Sequence, residues 1–213
     1  MFAQPDPVPV QRLHPDKGLR ARRPKETIML QGDCTFEIKD NMLIMEAEPG
    51  RDYFANPVSG EIKADAAFAY TTIEGDFTCR AKVQLEHKSQ FDGAGLFAFQ
   101  DDTHWVKACF EQGDYGFKSV VTVMTNDHSD DGYGVTIPGD SIWLQLARTG
   151  DVFSIHYSYD GDFYYMSRLA RMPFARTLQV GFEAQSPTGE GGKRYFTDFT
   201  IVREGLKDSR AGQ

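Results

Sequence analysis

Apolar and polar residues alternate along much of this chain with a period of two. From Phe77 to Glu86 the alternation runs for five full cycles, as expected of a strand with one face buried. The runs 154–159, 177–185 and 194–202 follow the same rule, whereas 93–99 is apolar on both faces and suits a central strand. Turn signals separate the runs at Asp92-Gly93, Asp101-Asp102-Thr103, Pro138-Gly139-Asp140, Thr149-Gly150-Asp151 and Asp160-Gly161-Asp162. This spacing predicts about a dozen short strands and hardly any helix, hence an all-β antiparallel sandwich or barrel.

The phase of each run assigns side chains to a core or to an outer face. Val106, Ala108 and Phe110 point inward, which leaves Trp105, Lys107, Cys109 and Glu111 on the other face. Ile142, Leu144 and Leu146 go in, with Trp143 and Gln145 out; Phe153, Ile155 and Tyr157 go in, with Ser154, His156 and Ser158 out. Leu178, Val180, Phe182 and Ala184 go in, with Gln179, Glu183 and Gln185 out. If these strands share a sheet, its outer face carries two Trp, two Glu, a Lys, a His and several amides. Flat aromatic surfaces cover the C–H faces of sugars and planar polar groups meet hydroxyls, so the mixture points to a polar groove for a carbohydrate. The candidate ligand-binding set is Trp105, Lys107, Glu111, Trp143, Gln145, His156, Glu183 and Gln185.

Composition narrows the classes. With 40% hydrophobic and 13% aromatic residues in 213, the chain carries enough apolar surface for a substantial core and is no low-complexity fibre. A net charge of −8 repels a phosphate backbone, so nucleic acid is not an expected partner. No apolar run reaches the roughly 20 residues of a membrane span. The start lacks a charged segment followed by an apolar one, and Cys34, Cys79 and Cys109 are odd in number and far apart. Both features favour a cytoplasmic protein without a disulfide framework. Residues 1–27 form a proline-rich lead-in whose basic cluster is Arg20, Arg22, Arg23 and Lys25; it reads as a flexible arm before a domain at 28–204, and 205–213 reads as a frayed tail.

Other chemistries have thinner support. Glu111 and Glu183 are the carboxylates a glycoside hydrolase would need if they approach across strands, with Lys107 or His156 tuning them. Asp127, Asp130 and Asp131 sit in a run that opens like a calcium loop, but the twelfth position is Pro138 in place of a bidentate Glu, so an EF-hand is excluded. They remain candidates only for an irregular calcium site. No other cofactor is expected: there is no Gly-x-Ser-x-Gly elbow, and Thr188-Gly189-Glu190-Gly191-Gly192 lacks the Lys and helix of a phosphate loop. Edge strands leave a homo-oligomer open.

The segment 91–111 contains D-x-A-G-L from Asp92, D-x-x-x-W-V-K from Asp101 and then Glu111. Ser119-Val120-Val121-Thr122 follows, then Asp160-Gly161 after Ser158, then residues 184–191 leading into Tyr195-Phe196-Thr197-Asp198-Phe199-Thr200-Ile201. In this order the motifs resemble the domain-of-unknown-function family of the yeast Regulation of Enolase type, within the concanavalin A-like lectin/glucanase superfamily, over about residues 50–203. The resemblance implies a jelly-roll β-sandwich of two packed sheets, one with a concave face. A related domain lies C-terminal in some β-xylosidases, which favours a sugar ligand, while the family name favours a regulatory protein that binds a metabolic enzyme. One departure is Asn126-Asp127-His128-Ser129, where the family usually carries an aromatic; His128 stands in its place.

Overall fold

A computed structural model describes residues 30, 32 and 34–213 of the chain. The basic arm expected at 1–27 lies outside the described residues. Fifteen strands and one short 3-10 turn (Asp114–Gly116) make up the described part. The seven-stranded sheet runs, in spatial order, β1 (Phe36–Lys39), β2 (Met42–Ala47), β15 (Gly192–Val202), β6 (Phe77–Leu85), β11 (Ser141–Thr149), β12 (Val152–Ser158) and β13 (Tyr165–Arg171). The six-stranded sheet runs β10 (His128–Thr136), β9 (Lys118–Asn126), β8 (His104–Gln112), β7 (Gly93–Asp101), β14 (Thr177–Gln185) and β5 (Ala67–Glu74). A separate hairpin pairs β3 (Tyr53–Ala55) with β4 (Ile62–Ala64). Every pairing is antiparallel, and the order is that of a jelly-roll sandwich. No helix among the described residues is long and apolar enough to cross a membrane.

The core forms where the inward phases of the two sheets meet. Phe77, Cys79, Ala81, Val83 and Leu85 of β6 face Val106, Ala108 and Phe110 of β8 and Leu178, Val180, Phe182 and Ala184 of β14 in one buried cluster. Each large side chain there stabilises the fold by roughly 1.5–3 kcal/mol on leaving water. Phe182 meets Phe196 of the other sheet at 5.0 Å between ring centroids, a direct tie between the layers.

The alternation fails in β15. A register shift falls between Thr197 and Thr200, and Asp198 takes a left-handed φ of 50°, as one extra residue in a strand requires. Before that shift Arg194 shares the inward phase of Phe196 yet carries a charge. Its guanidinium reaches the sandwich end, donating from Nε to Gly93 O (3.1 Å) and from Nη2 to Gln185 O (2.9 Å), with Asp92 Oδ1 3.3 Å away.

Two further expectations are corrected. Residues 127–132 are not a calcium-type loop: from His128 onward they belong to β10, so Asp130 and Asp131 point to opposite faces and cannot converge with Asp127. Asp130 instead pairs with Arg168 at 2.6 Å. Residues 205–213 do not fray. Leu206 is buried and exchanges hydrogen bonds with Thr149, and Asp208 Oδ1 accepts from Arg210 N (2.9 Å) and Ala211 N (3.0 Å), folding the tail back on β11 and β12.

Candidate functional site

The eight candidate ligand-binding residues do not share a sheet. Trp105, Lys107 and Glu111 lie on β8 and Glu183 and Gln185 on β14, all on the non-core face of the six-stranded sheet. Trp143, Gln145 and His156 lie on β11 and β12, on the outer face of the other sheet. The core separates the two sets. Strand phase fixed which face of its own sheet each residue takes, but nothing in a local run says which sheet that is.

On the six-stranded sheet the register lays the face out in rows. Gln185, Gly93 and Glu111 are cross-strand partners; Phe68, Glu183, Gly95, Cys109 and Val121 form the next row. Tyr70, Gly181, Phe97, Lys107, Val123 and Asp131 form the third, and Gln179, Phe99, Trp105, Thr125 and Ser129 the fourth. Gly95 is required here, because a Cβ on it would lie 2.7 Å from Ala108 O. It also leaves bare backbone beside Glu183.

This face is covered. Residues 52–66, including the β3–β4 hairpin, cross it as a strap. Ala55 N donates to Ser129 Oγ (3.0 Å), and the Tyr53 ring packs on Phe97, Trp105, Phe99 and Phe68 at centroid distances of 4.6, 5.7, 5.8 and 6.5 Å. Trp105 is in consequence fully buried, so the expected stacking surface is a packing residue. The strap carries no periodic signal in the sequence, which is why Tyr53 escapes a reading by alternation.

Beneath the strap lies a dense polar cluster. Lys107 Nζ donates to Gln185 Oε1 (2.5 Å) and Tyr53 O (3.0 Å) and sits 3.4 Å from Asp52 Oδ1. Gln185 Nε2 donates to Phe91 O (3.0 Å) and Glu111 Oε2 (3.1 Å). Burial pulls the Lys107 ammonium down, but the carboxylates of Asp52 and Glu183 outweigh it and hold the group above its ordinary range. Burial pushes Glu111 up to about 8 and Glu183 up to about 7, each against the pull of Lys107. The Cys109 thiol is raised by burial and by both Glu carboxylates, which opposes a nucleophilic thiolate there. Both oxygens of Glu183 are buried without a hydrogen-bond partner, as is Trp105 Nε1.

Toward β5 the strap leaves a cavity of about 400 Å³. Tyr53, Phe68, Tyr70 and Phe99 supply aromatic walls, and Gln179 and Asp65 supply polar groups, with Glu46 and Glu48 also at its lining. Tyr70 and Phe99 are half-buried. Arg51 is held by Asp65 at 2.6 Å and lies 3.7 Å from Glu48. Gln179 was legible as an outward side chain; the aromatic walls were not, since Phe68, Tyr70 and Phe99 stand in runs that are apolar on both faces.

The other three candidates lie under the tail. Gln145 accepts from Arg80 Nε and donates from Nε2 to Gly212 O (3.3 Å), with His156 Nδ1 3.2 Å away. Burial lowers the His156 pKa. Trp143 is half-buried under the β12–β13 turn, where a Cβ on Gly161 would lie 2.8 Å from its Cε2. Among the described residues, no group of three or more His, Cys, Asp or Glu is placed to hold a metal ion.

Comparison with known proteins agrees with this fold. The chain is 26% identical over 189 residues to Regulation of enolase protein 1 of Saccharomyces cerevisiae, covering 87% of this chain and 89% of that one. A crystal structure of a functionally unknown protein from the same yeast superposes with a TM-score of 0.74 at 26% identity, over 82% of this chain and 95% of the other. A xylan β-1,4-xylosidase from Bacillus halodurans matches at 0.61 with 13% identity, over 91% of this chain but 41% of its own. The carbohydrate-binding module CBM66 from Bacillus subtilis matches at 0.50 with 13% identity, over 82% of this chain and 95% of the module. The last two share the fold alone. The family model described as "Protein of unknown function (DUF1349)" matches residues 31–204, and with the fold and the motif order in agreement the chain belongs to that family.

Proposed function

We propose that the protein binds a carbohydrate or a similar uncharged polyhydroxylated ligand in the cavity beside the strap, without turning it over. The observation that carries this is the lining itself: half-buried Tyr70 and Phe99 beside Gln179 and Asp65 in about 400 Å³. Ring faces cover sugar C–H groups, while amide and carboxylate oxygens accept from hydroxyls. The carboxylates of Glu46, Glu48 and Asp65 at the lining disfavour phosphorylated sugars. The sandwich of CBM66 is a supporting likeness of fold.

Titration calorimetry with xylobiose, sucrose and glucose 6-phosphate tests the reading. A neutral sugar should bind, the phosphate should not, and Tyr70→Ala should weaken binding about tenfold, the worth of an aromatic contact of about 1.4 kcal/mol. Heat flow from none of the neutral sugars would end it.

A second reading has an observation of its own. Tyr159, Phe163 and Tyr165 are 57%, 58% and 46% exposed at the β12–β13 turn, with Phe163 and Tyr165 rings 4.9 Å apart. Exposed aromatics in contact with one another suit a protein partner, and the name of the yeast relative suggests enolase. Sedimentation of the protein with purified enolase, wild type against Phe163→Ser, decides it: unchanged boundaries remove this reading.

A further inference from the structure

Glu183 poses a problem that the fold does not solve. Its side chain is 0% exposed, and neither carboxylate oxygen accepts a hydrogen bond. A buried carboxylate without partners is strongly destabilising. Charged and amide donors are close at hand, yet these are committed elsewhere. Lys107 gives its protons to Gln185 Oε1 and Tyr53 O and faces Asp52. Arg194 serves Gly93 O, Gln185 O and Asp92, and the Gln185 amide serves Phe91 O and Glu111. A structural acid would have drawn at least one of them.

Its position suggests what does. The cross-strand partners of Glu183 are Phe68, a wall of the cavity, and Gly95, which has no side chain. Tyr53 also lines the cavity, and its ring lies against Phe68, in the row of this carboxylate, and Phe97, in the next row. Trp105 Nε1, another buried polar atom without a partner on this face, belongs to the residue 5.7 Å from the same ring. Tyr53 stands on β3, which pairs with β4 alone and belongs to neither large sheet.

We propose that the cavity continues beneath Tyr53 to Glu183, that Tyr53 is the gate between them, and that Glu183 accepts hydrogen bonds from ligand hydroxyls once the gate is displaced. This rests on the reading of the cavity as a site for polyhydroxylated ligands. The stability sacrificed at Glu183 is then the mark of a binding residue, since a group left unsatisfied in the free protein is satisfied by the ligand.

Glu183→Gln keeps the shape and removes the charge. The inference expects two opposite effects: a higher urea midpoint for the free protein, and at least tenfold weaker binding of xylobiose or sucrose, whichever the wild type binds. A structural acid would give the reverse first result, and a lower midpoint overturns the proposal. Equal sugar affinity in wild type and variant also overturns it, while leaving the cavity reading in place. If the wild type binds no neutral sugar, the cavity reading itself fails and this inference with it. The gate has a separate readout, carbodiimide coupling at Glu183 followed by mass spectrometry. Tyr53→Ala should speed coupling at least tenfold over wild type, and equal rates would show that Tyr53 is not the gate.

Discussion

Two polar faces of this sandwich carry the same pattern in sequence and are buried in different ways. On the six-stranded sheet the strap covers Lys107, Glu111 and Glu183, charged groups that largely face one another. On the seven-stranded sheet the tail covers Gln145 and His156, neutral groups hydrogen-bonded to Arg80, to each other and to the backbone of Gly212. The second face is a junction of neutral groups that holds the tail, with His156 Nε2 the atom left without a partner. The first keeps charges out of water with one carboxylate unpartnered, an arrangement that stability alone would not select. Burial of polar residues is thus no sign of a site; what sets the first face apart is a carboxylate with both oxygens buried and unpartnered.

The largest expected contrast comes from cutting one polar group out of each face. Lys107→Met leaves Asp52, Glu111 and Glu183 without their cation and should cost about 3–5 kcal/mol in urea unfolding. Gln145→Leu removes the hydrogen bonds to Arg80 Nε, His156 Nδ1 and Gly212 O, none of them to a buried carboxylate, and should cost about 1–3 kcal/mol. Equal losses would erase the distinction between the faces.

The pH dependence of stability should run in opposite senses. Glu111 and Glu183 titrate in the folded protein at about 8 and about 7, above the ordinary 4.5. The native state therefore binds more protons than the unfolded chain between these limits. Their contribution is complete below the ordinary value and is lost as pH rises through about 7 to 8. His156 is lowered from 6.5 by burial, so its contribution is present above that value and lost as pH falls below it. Unfolding free energies measured between pH 5 and 9 should lose the upper part of their alkaline decline, near pH 8, in Glu111→Gln and keep the part that Glu183 contributes near pH 7. His156→Gln should flatten the acid limb instead, and a decline unchanged in both variants would contradict the assignment.

The smallest effect is expected outside both faces. Asp130→Asn breaks a partly exposed ion pair with Arg168 and should change stability by at most about 1 kcal/mol. Calcium should shift the melting temperature of neither protein; a shift lost in the variant would restore Asp130 as a ligand.

The sequence by itself determined the all-β class, the positions of most long strands and the face each residue takes on its strand. Period-two alternation is a local property, and β14 falls on 177–185 as its pattern requires. It put Lys107, Glu111, Glu183 and Gln185 on the non-core faces of their strands, and the pairing of β8 and β14 on either side of β7 then brought the four together. Tertiary structure alone decided the rest. It put Trp143, Gln145 and His156 on the other sheet, since strand pairing between distant segments leaves no trace in a local pattern. It buried Trp105 beneath Tyr53, and it folded residues 205–213 onto β11 and β12. Whether a polar face meets water depends on what crosses it, and here irregular segments cross both.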